Sequence, residues 1–236
     1  MKKEIVDAFN KLAVDYEHTI DENSPYNTHY ERPAMLAQLP DVMDGKKVLD
    51  AGCAAGWYTE QLLKKGADVV AIDVSEEMVA ATKRRIGTES NVLCLNLQEK
   101  LPFANEHFDY IVSSLTLHYL DCWEDTMMEF SRVMKPGGKL LFSVHHPFME
   151  YKFSKTGDYF TRERLVLPWE KPKAGTVYVP FYRRSLQETI ASPSRYFSIE
   201  KIIEPQPIEQ LIQLHKQTYE KLMTKPQFLI VICEKK

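Results

Sequence analysis

Apolar positions recur along this chain with two spacings, which predict two kinds of secondary structure. From residue 3 to about residue 20 they recur every three or four residues, as on one face of an amphipathic helix. A shorter helix is predicted from Thr28 or Pro33 to Leu39, where Pro40 ends it. From Lys47 onward, short apolar runs typical of buried strands alternate with further helical patterns. The predicted strands cover 47–51, 68–72, 92–95, 108–114, 139–144, 196–203 and 228–233, and the predicted helices between them cover 57–65, 75–86, 124–134, 185–191 and 208–222.

The order of these elements predicts the fold class. Strands that alternate with helices form a parallel sheet with helices on both of its faces. The alternation stops after His146, and residues 147–181 are rich in Tyr, Phe, Trp and Pro without a clean period. We interpret them as a long insertion that contains one hairpin, and segments of this length inside a compact domain are usually functional.

Composition and charge narrow the class of protein. The 236 residues are 44% hydrophobic and 27% charged, which is ordinary for a globular protein. The formal net charge of −3 gives no broad electrostatic footprint for nucleic acid, and we interpret the basic triplet at 83–85 as a solvated helix face. We expect no nucleic-acid partner, and the sequence leaves a monomer and a homodimer open.

The cysteines and the apolar segments bear on location. The four cysteines, at 53, 94, 122 and 233, form neither a C-x-x-C pair nor the spacing of a zinc site. Free thiols beside apolar runs suit a reducing compartment. The first twenty residues lack the apolar segment of a signal peptide, and no stretch approaches the roughly 20 apolar residues of a membrane span. We expect a cytoplasmic protein with no bound metal and no membrane span.

Residues 48–56, V-L-D-A-G-C-A-A-G, carry the most informative pattern in the sequence. A buried strand runs into a glycine-bearing turn and then into a helix, and ligands of doubly wound sheets bind at the carboxyl ends of such strands. Glycines there allow positive φ and a close approach of the ligand to the backbone. Asp73 ends the next strand, where a carboxylate can accept hydrogen bonds from both hydroxyls of a ribose. The two strands together predict a site for a nucleoside-like ligand.

The details of the turn argue against a dinucleotide. The dinucleotide fingerprint G-x-G-x-x-G seats a pyrophosphate on a helix N-terminus, whereas this turn reads G-x-A-x-G and is followed by Trp57. A tryptophan leaves little room for a pyrophosphate, and the nearby carboxylate of Asp50 would repel that anion. An acidic residue at this place instead suits a ligand that carries an ammonium or sulfonium group.

Five segments, taken in order, resemble the class I S-adenosylmethionine-dependent methyltransferases, in the branch similar to the ubiquinone and menaquinone biosynthesis methyltransferases. They are V-L-D-A-G-C-A-A-G at 48–56, A-I-D-V-S-E-E-M at 71–78, N-L-Q-E-K-L-P-F at 96–103, F-D-Y-I-V-S-S-L at 108–115 and R-V-M-K-P-G-G at 132–138. The resemblance implies a Rossmann-like, doubly wound α/β fold, with a mostly parallel seven-stranded sheet, an antiparallel last strand and helices on both faces. It implies one methyltransferase domain over 1–236, divided into an N-terminal helical cap (1–45), a cofactor-binding core (46–146), an aromatic insertion or lid (147–182) and a C-terminal part that completes the sheet (183–236).

The resemblance also implies a cofactor, S-adenosyl-L-methionine, and its product S-adenosyl-L-homocysteine. Asp50 would hold the amino group of the cofactor, directly or through water, Asp73 would bind the ribose, and Asn96 would accept a hydrogen bond from the adenine amino group. The full set of implied cofactor-binding residues is Asp50, Gly52, Cys53, Ala54, Gly56, Asp73, Val74, Met78, Asn96, Leu97, Ser114 and Leu115.

Two of these residues depart from the family pattern. Ala54 stands where the family has a glycine, and Asn96 stands where it has an acidic residue. Because alanine tolerates positive φ poorly, we expect a slightly reshaped turn. Asn96 keeps a side-chain carbonyl that can accept a hydrogen bond, so cofactor binding need not be lost.

Histidines and aromatic residues supply candidates for the acceptor side. His146 and His118 are candidate general bases, because they follow predicted strands at the catalytic edge and histidine titrates near neutral pH. The alternative is that they are half-buried, hydrogen-bonded histidines, since a sulfonium is already activated and positioning supplies most of the effect. The candidate acceptor-pocket residues are Tyr16, Tyr26, Tyr30, His145 and Tyr151. The aromatic residues of the insertion fit equally well a hydrophobic cluster beneath a long loop.

The sequence therefore favours methyl transfer from S-adenosylmethionine to a small-molecule acceptor by direct in-line displacement. Two alternatives remain. A non-catalytic S-adenosylmethionine-binding module is compatible with the departures at Ala54 and Asn96. A nicotinamide-dependent oxidoreductase is disfavoured by Asp50 and Trp57.

Overall fold

The computed structural model describes residues 2–87 and 91–236, and its helices and strands follow the predicted order. The helices are α1 (Lys2–His18), α2 (Ile20–Asn23), α3 (Arg32–Leu36), α4 (Trp57–Lys64), α5 (Glu76–Ile86), α6 (Glu124–Val133), α7 (Pro147–Tyr151), α8 (Leu186–Ser194) and α9 (Gln210–Thr224). The strands are β1 (Lys47–Ala51), β2 (Asp68–Asp73), β3 (Asn91–Cys94), β4 (Phe108–Ser113), β5 (Met134–His145), β6 (Glu163–Lys171), β7 (Gly175–Arg183), β8 (Phe197–Ile203) and β9 (Phe228–Lys235). A π-helical turn lies at Asn27–Glu31 and a 3₁₀ turn at Leu117–Tyr119.

The main sheet has the strand order β3-β2-β1-β4-β5-β9-β8. Strands β1 to β5 pair in parallel, and β9 runs antiparallel between β5 and β8. This confirms the mostly parallel, seven-stranded sheet with an antiparallel last strand. Because β1 neighbours both β2 and β4, the winding direction reverses between β1 and β4, and a crevice opens at their carboxyl ends.

Helices cover both faces of the sheet because successive strand residues point to opposite sides. In β1, Val48 packs with Leu62 of α4 on one face, and Leu49 packs with Phe130 of α6 on the other. All four side chains are fully buried. Both faces of the central strands are therefore apolar, which is why these strands appear in the sequence as continuous hydrophobic runs.

The second predicted helix differs from the structure. The π-helical turn precedes α3, and α3 ends at Leu36 rather than Leu39. Pro33 has no N–H, so it cannot bond the carbonyl of His29 as an uninterrupted α-helix would require. That carbonyl instead accepts a hydrogen bond from the N–H of Ile208, at 2.9 Å. The C-terminal part of the chain thus fixes the end of the helical cap.

The segment after β5 contains α7 and the predicted hairpin, which is formed by β6 and β7 as a separate two-stranded sheet. The hairpin is anchored by Arg183, which is fully buried and lies 2.6 Å from Glu163 in an ion pair. Its strand β7 packs against α1. The hairpin therefore supports the N-terminal helix, while the predicted division into cap, core, insertion and C-terminal part stays a prediction.

Two features are absent from residues 2–87 and 91–236. In these ranges no helix combines the length and the apolar character needed to cross a membrane. The same ranges hold no group of three or more His, Cys, Asp or Glu side chains that could bind a metal ion.

Candidate cofactor site

The turn between β1 and α4 has the conformation that its glycines predict. Gly52 has a φ of +89° and Gly56, the N-cap of α4, has a φ of +79°. A Cβ atom on Gly52 would lie 2.2 Å from Oγ1 of Thr116, so no other residue fits there. Ala54 also adopts a positive φ, +48°. The turn thus keeps a left-handed residue at this position, at a cost of about 1–2 kcal/mol for an alanine.

Asp73 ends β2 and links the turn to the start of α5. Its Oδ2 accepts a hydrogen bond from the N–H of Ala54 at 3.0 Å, and its Oδ1 accepts one from the N–H of Ser75 at 2.9 Å. Burial raises the pKa of this carboxyl, and the two backbone N–H groups oppose the rise. Each carboxylate oxygen has more than one acceptor position, so both can still bind a ligand hydroxyl.

Asp50 lies beneath the turn, and its side chain is 1% exposed. Its Oδ2 accepts a hydrogen bond from the Oγ1 of Thr59 at 2.6 Å. Burial raises the pKa of Asp50 to about 7, because few partners compensate for the loss of water. Asp50 does not line the cavity described next, so its predicted direct contact with a cofactor amino group has no support in the structure.

A cavity of about 130 Å³ lies between this turn, the ends of β2 and β4, α1 and the helical cap. The predicted cofactor-binding residues on its wall are Gly52, Cys53, Ala54, Asp73, Val74, Asn96, Leu97, Ser114 and Leu115. Besides Asp50, the two that lie off the wall are Gly56 and Met78. A Cβ on Gly56 would lie 2.7 Å from Cγ2 of Thr82, so this glycine allows the turn to pack on α5. Met78 is fully buried in the cluster between α5 and α1.

Asn96 follows β3 and forms a local turn at the cavity wall. Its Oδ1 accepts a hydrogen bond from the N–H of Gln98 at 3.1 Å, and its Nδ2 donates to Oε1 of Glu99 at 2.9 Å. The amide is thereby held in one orientation, and its carbonyl oxygen keeps a second acceptor position. Its role toward an adenine amino group stays a prediction.

One end of the cavity carries charged residues that the sequence analysis missed. The guanidinium of Arg32 lies 4.1 Å above the ring centroid of Trp57, and its Nη2 lies 2.8 Å from Oδ1 of Asp21. Arg85 also pairs with Asp21, and its Nη1 is buried without a hydrogen-bond partner in the described part of the chain. Two cations and one anion therefore line this end. The solvated-face interpretation of the basic triplet fits Arg84, which is 57% exposed, and is wrong for Arg85.

Helix α1 covers another side of the cavity. Tyr16, predicted for the acceptor pocket, lies on the wall of this cavity, and burial raises its pKa to about 12. Phe9 also lies on the wall and contacts Tyr119 edge to face, with ring centroids 4.9 Å apart. The sequence analysis did not identify these two residues as part of the site. Phe9 fitted only the helical spacing of the N-terminal segment, and Tyr119 lay in an apolar segment after β4. The helix therefore contributes an aromatic wall to the site.

Three other residues predicted for the acceptor pocket lie elsewhere. Tyr30 is fully buried against Phe228, and Tyr26 packs in the same cluster under α9. Tyr151 is 41% exposed on α7, where its hydroxyl donates to the carbonyl of Gly157. The sequence predicted a helix at Tyr30 but none at Tyr26 or Tyr151, and it did not show which neighbour each aromatic ring would meet.

None of the three candidate histidines lines the cavity. His146 caps α7: its Nδ1 accepts from the N–H of Phe148 at 3.1 Å, and its Nε2 lies 2.8 Å from Oε1 of Glu204. His118 stacks on His145 with ring centroids 3.8 Å apart, and burial holds the pKa of His118 well below its usual value. His145 in turn bonds Glu150. These placements favour a structural role for His146, which is hydrogen-bonded, over a general base. His118 is buried and neither of its ring nitrogens has a hydrogen-bond partner among the described residues, so it fits neither the base nor the hydrogen-bonded alternative.

Comparisons with known proteins agree with this geometry. Residues 49–142 match the profile of the family described as "methyltransferase domain". A ubiquinone biosynthesis O-methyltransferase from Coxiella burnetii is 30% identical over 190 residues, which are 78% of this chain and 77% of the relative. A malonyl-[acyl-carrier protein] O-methyltransferase from Buchnera aphidicola is 30% identical over 155 residues, which are 65% of this chain and 59% of the relative.

This chain is shorter than several of its relatives, and it superposes on solved methyltransferase structures. The chain spans between 28% and 59% of the length of four curated relatives that it matches at 30% identity. A solved structure from Listeria monocytogenes, assigned as an S-adenosylmethionine-dependent methyltransferase, superposes with a TM-score of 0.74 at 25% identity. That superposition covers 87% of this chain and 96% of the other.

Proposed function

We infer the function from one premise, that this chain belongs to the family of S-adenosylmethionine-dependent methyltransferases. We propose that it transfers a methyl group from S-adenosylmethionine to a small-molecule acceptor by direct in-line displacement. The observation that carries the proposal is Asp73, whose carboxylate accepts a hydrogen bond from Ala54 in the turn after β1, beside the point where the strand order reverses. The cofactor, when bound, supplies a methyl group on a sulfonium that is already activated toward a nucleophile.

The residues on the cavity wall fit the chemistry of that cofactor. Asp73 has free acceptor positions for two ribose hydroxyls. Gly52 packs closely on Thr116, and both residues lie on the cavity wall, where the turn can face a methionine tail. At the charged end, Arg32, Arg85 and Asp21 carry one positive charge in excess. A carboxylate bound there would neutralise the excess, which suits the carboxylate of the methionine tail.

The chain's own contribution to the reaction is to position the reactants and exclude water. Aromatic side chains of α1 and the 3₁₀ turn cover the cavity, and a covered site holds donor and acceptor in line. No histidine of the described residues lies on the wall, so the proposal assigns no imidazole base.

Three observations support a small acceptor. The site lies under α1 rather than on an open surface, and the net charge of −3 gives no footprint for nucleic acid. The names of two relatives refer to ubiquinone biosynthesis and to a malonyl group. An oxidoreductase is disfavoured because Trp57 is the first residue of α4, where a dinucleotide would place its pyrophosphate and where a bulky side chain leaves little room.

A thermal-shift experiment tests the cofactor part of the proposal. S-adenosylhomocysteine at about 100 times its dissociation constant should stabilise the protein by about 2.7 kcal/mol, and NAD should not. Asp73→Ala should remove most of this gain because the ribose loses its acceptor. Asp68→Ala is the matched control, since Asp68 is exposed at the opposite end of β2. An undiminished gain in Asp73→Ala would place the ribose elsewhere.

Transfer of a labelled methyl group tests the acceptor part. A metabolite panel should contain an acceptor, while transfer RNA and ribosomal RNA should not be methylated. Methylation of the RNAs alone would contradict the proposal. Tight cofactor binding with no transfer to either class would favour the non-catalytic binding module, which the departures at Ala54 and Asn96 leave open.

A further inference from the structure

The π-helical turn places a charged residue, Glu31, against the sheet just outside the cavity. Its side chain is 1% exposed and accepts three hydrogen bonds from hydroxyl groups. Tyr58 donates to Oε2 at 2.8 Å, Ser114 donates to Oε1 at 2.8 Å, and Ser143 donates to Oε1 at 2.5 Å. Helix α4, the end of β4 and β5 thus meet at one carboxylate. Glu31 has no periodic signal in the sequence, because the π-helical turn departs from the 3.6-residue period.

The direction of these hydrogen bonds follows from the chemistry of the groups. A carboxylate can only accept, and each hydroxyl has a single hydrogen. While Glu31 is ionised, the hydrogens of Tyr58 and Ser114 both point toward it. The hydroxyl oxygens can then offer other groups only their lone pairs. Tyr58 and Ser114 line the cavity, whereas Ser143 does not, so two oxygen atoms at the cavity wall are held as acceptors.

These two oxygens lie at the end of the cavity that carries Arg32. Tyr58 is the second residue of α4, directly after Trp57, on which Arg32 stacks. Ser114 directly follows β4 and precedes Leu115, another wall residue. An amino-acid group has a carboxylate and an ammonium close together, and Arg32 supplies a partner only for the carboxylate. Asp50 does not line the cavity, so the ammonium lacks the direct partner that the sequence predicted.

We propose that Glu31 fixes the hydroxyls of Tyr58 and Ser114 as hydrogen-bond acceptors for the α-ammonium group of the cofactor's methionine tail. This inference rests on the proposed function. Glu31 is a positioning residue, because it acts through the two hydroxyls. Its negative charge lies one hydroxyl group away from the bound cation and attracts it. The arrangement therefore selects a ligand with an intact amino-acid end over one that lacks the amino group.

The variant Glu31→Gln tests the proposal because it keeps the shape and reverses one hydrogen bond. The amide Nε2 donates, so one hydroxyl that it faces must accept and turn its own hydrogen away, toward the cavity. The dissociation constant of S-adenosylhomocysteine, measured by calorimetry, should rise by about ten-fold or more, as expected for a lost hydrogen bond to a charged group. The dissociation constant of the deaminated analogue of S-adenosylhomocysteine should change by less than about two-fold.

Further variants keep the test decisive if Glu31→Gln folds poorly. Ser114→Ala and Tyr58→Phe each remove one acceptor and should weaken S-adenosylhomocysteine but not the deaminated analogue. Ser113→Ala is the matched control, since Ser113 is buried one residue earlier and donates to the carbonyl of Ala51. Equal weakening of both ligands, or of neither, would overturn the proposal. Failure of the wild-type protein to bind S-adenosylhomocysteine would instead contradict the proposed function.

Discussion

At the scale of single residues, Gly52 is a position that only glycine can occupy. Both its positive φ and the 2.2 Å approach of a Cβ to Thr116 exclude a side chain. We predict that Gly52→Ala lowers the free energy of unfolding by more than about 3 kcal/mol and abolishes binding of S-adenosylhomocysteine, because the turn or Thr116 must move. Urea unfolding and calorimetry measure the two effects.

Gly45→Ala separates strain from collision. Gly45 has a similar φ of +70°, but nothing lies within 4 Å of its Cβ position. It should cost about 1 kcal/mol, which is the penalty of positive φ alone, and leave ligand binding unchanged. If the two variants lost the same stability, the contact with Thr116 would not be the cause.

The contrast between Gly52 and Glu31 shows what the sequence reveals at this scale. A glycine in a strand–turn–helix pattern and an acidic residue at a strand end are local features, so Gly52 and Asp73 could be predicted. Glu31 and Arg32 become buried through partners that lie far along the chain, such as Ser143 and Trp57. Sequence spacing contains no information about those partners.

At the scale of elements, the strands of the main sheet were predictable and the surroundings of the cavity were not. Apolar runs identify buried strands whatever covers them, and β1 to β4 agree with prediction within one residue at each end. Tyr30 lies on a predicted helix and Tyr26 lies just before it, yet α9 covers both rings. The order of elements along the chain does not specify which helix covers which aromatic ring.

Hydrogen bonds from the turn between β6 and β7 hold helix α1 over the cavity. Asp15 is fully buried, and its carboxylate accepts hydrogen bonds from the N–H groups of Lys173 and Ala174 at 3.1 and 2.7 Å. On the other side, Asn10 accepts a hydrogen bond from Ser75, next to Asp73. The hairpin and the start of α5 thus hold the same helix.

We predict that Asp15→Ala loosens this cover. It leaves two backbone N–H groups without partners, which costs about 1–3 kcal/mol for each buried group. Amide exchange in α1 and at residues 172–175 should become about 10- to 100-fold faster, and S-adenosylhomocysteine should slow it again. Mass spectrometry of deuterated peptides measures both.

Glu4→Gln is the matched control on the same helix, because it breaks an exposed ion pair with Arg164. It should change exchange by less than about two-fold. Residues 151–160 lie off the cavity wall, so ligand should leave their exchange unchanged. A ligand-dependent slowing at 151–160 would instead indicate that the insertion acts as a lid over the acceptor. If neither Asp15→Ala nor ligand changed amide exchange in α1, then α1 would not act as a cover that the hairpin holds in place.

At the scale of the whole molecule, the negative charge of buried carboxylates has opposite effects on stability and on ligand binding. Glu31, Asp50 and Asp73 are buried carboxyl groups around one cavity, and burial raises the pKa of each. Between the unfolded and folded pKa values, the folded state binds more protons than the unfolded state, so these groups make stability fall as pH rises. His118 acts in the opposite sense, because its lowered pKa destabilises the fold as pH falls.

A pair of variants separates Asp50 from these other groups. Asp50→Asn keeps an acceptor for Thr59 and removes the charge. Asp109→Asn should change stability with the opposite sign, because the pKa of Asp109 lies below its usual value. Burial alone would raise this pKa, but hydrogen bonds from Lys135 and from the N–H of Lys47 outweigh burial. Comparing each variant with the wild type at two pH values cancels the groups that both proteins share.

We predict that Asp50→Asn stabilises the ligand-free protein at pH 8 and has little effect at pH 4. The pKa of Asp50 rises from 3.8 to about 7 on folding, so ionisation costs stability across that window, by roughly 2–4 kcal/mol once pH exceeds 7. Urea unfolding at pH 4, 6 and 8 should show a gain that grows with pH for Asp50→Asn and a loss that grows with pH for Asp109→Asn. Because the buried negative charge also attracts the ammonium group of the ligand, the same Asp50 variant should bind S-adenosylhomocysteine more weakly at pH 8. A gain that is equal at all three pH values would show that Asp50 is ionised in the folded state throughout, and the opposition between stability and binding at this residue would not exist.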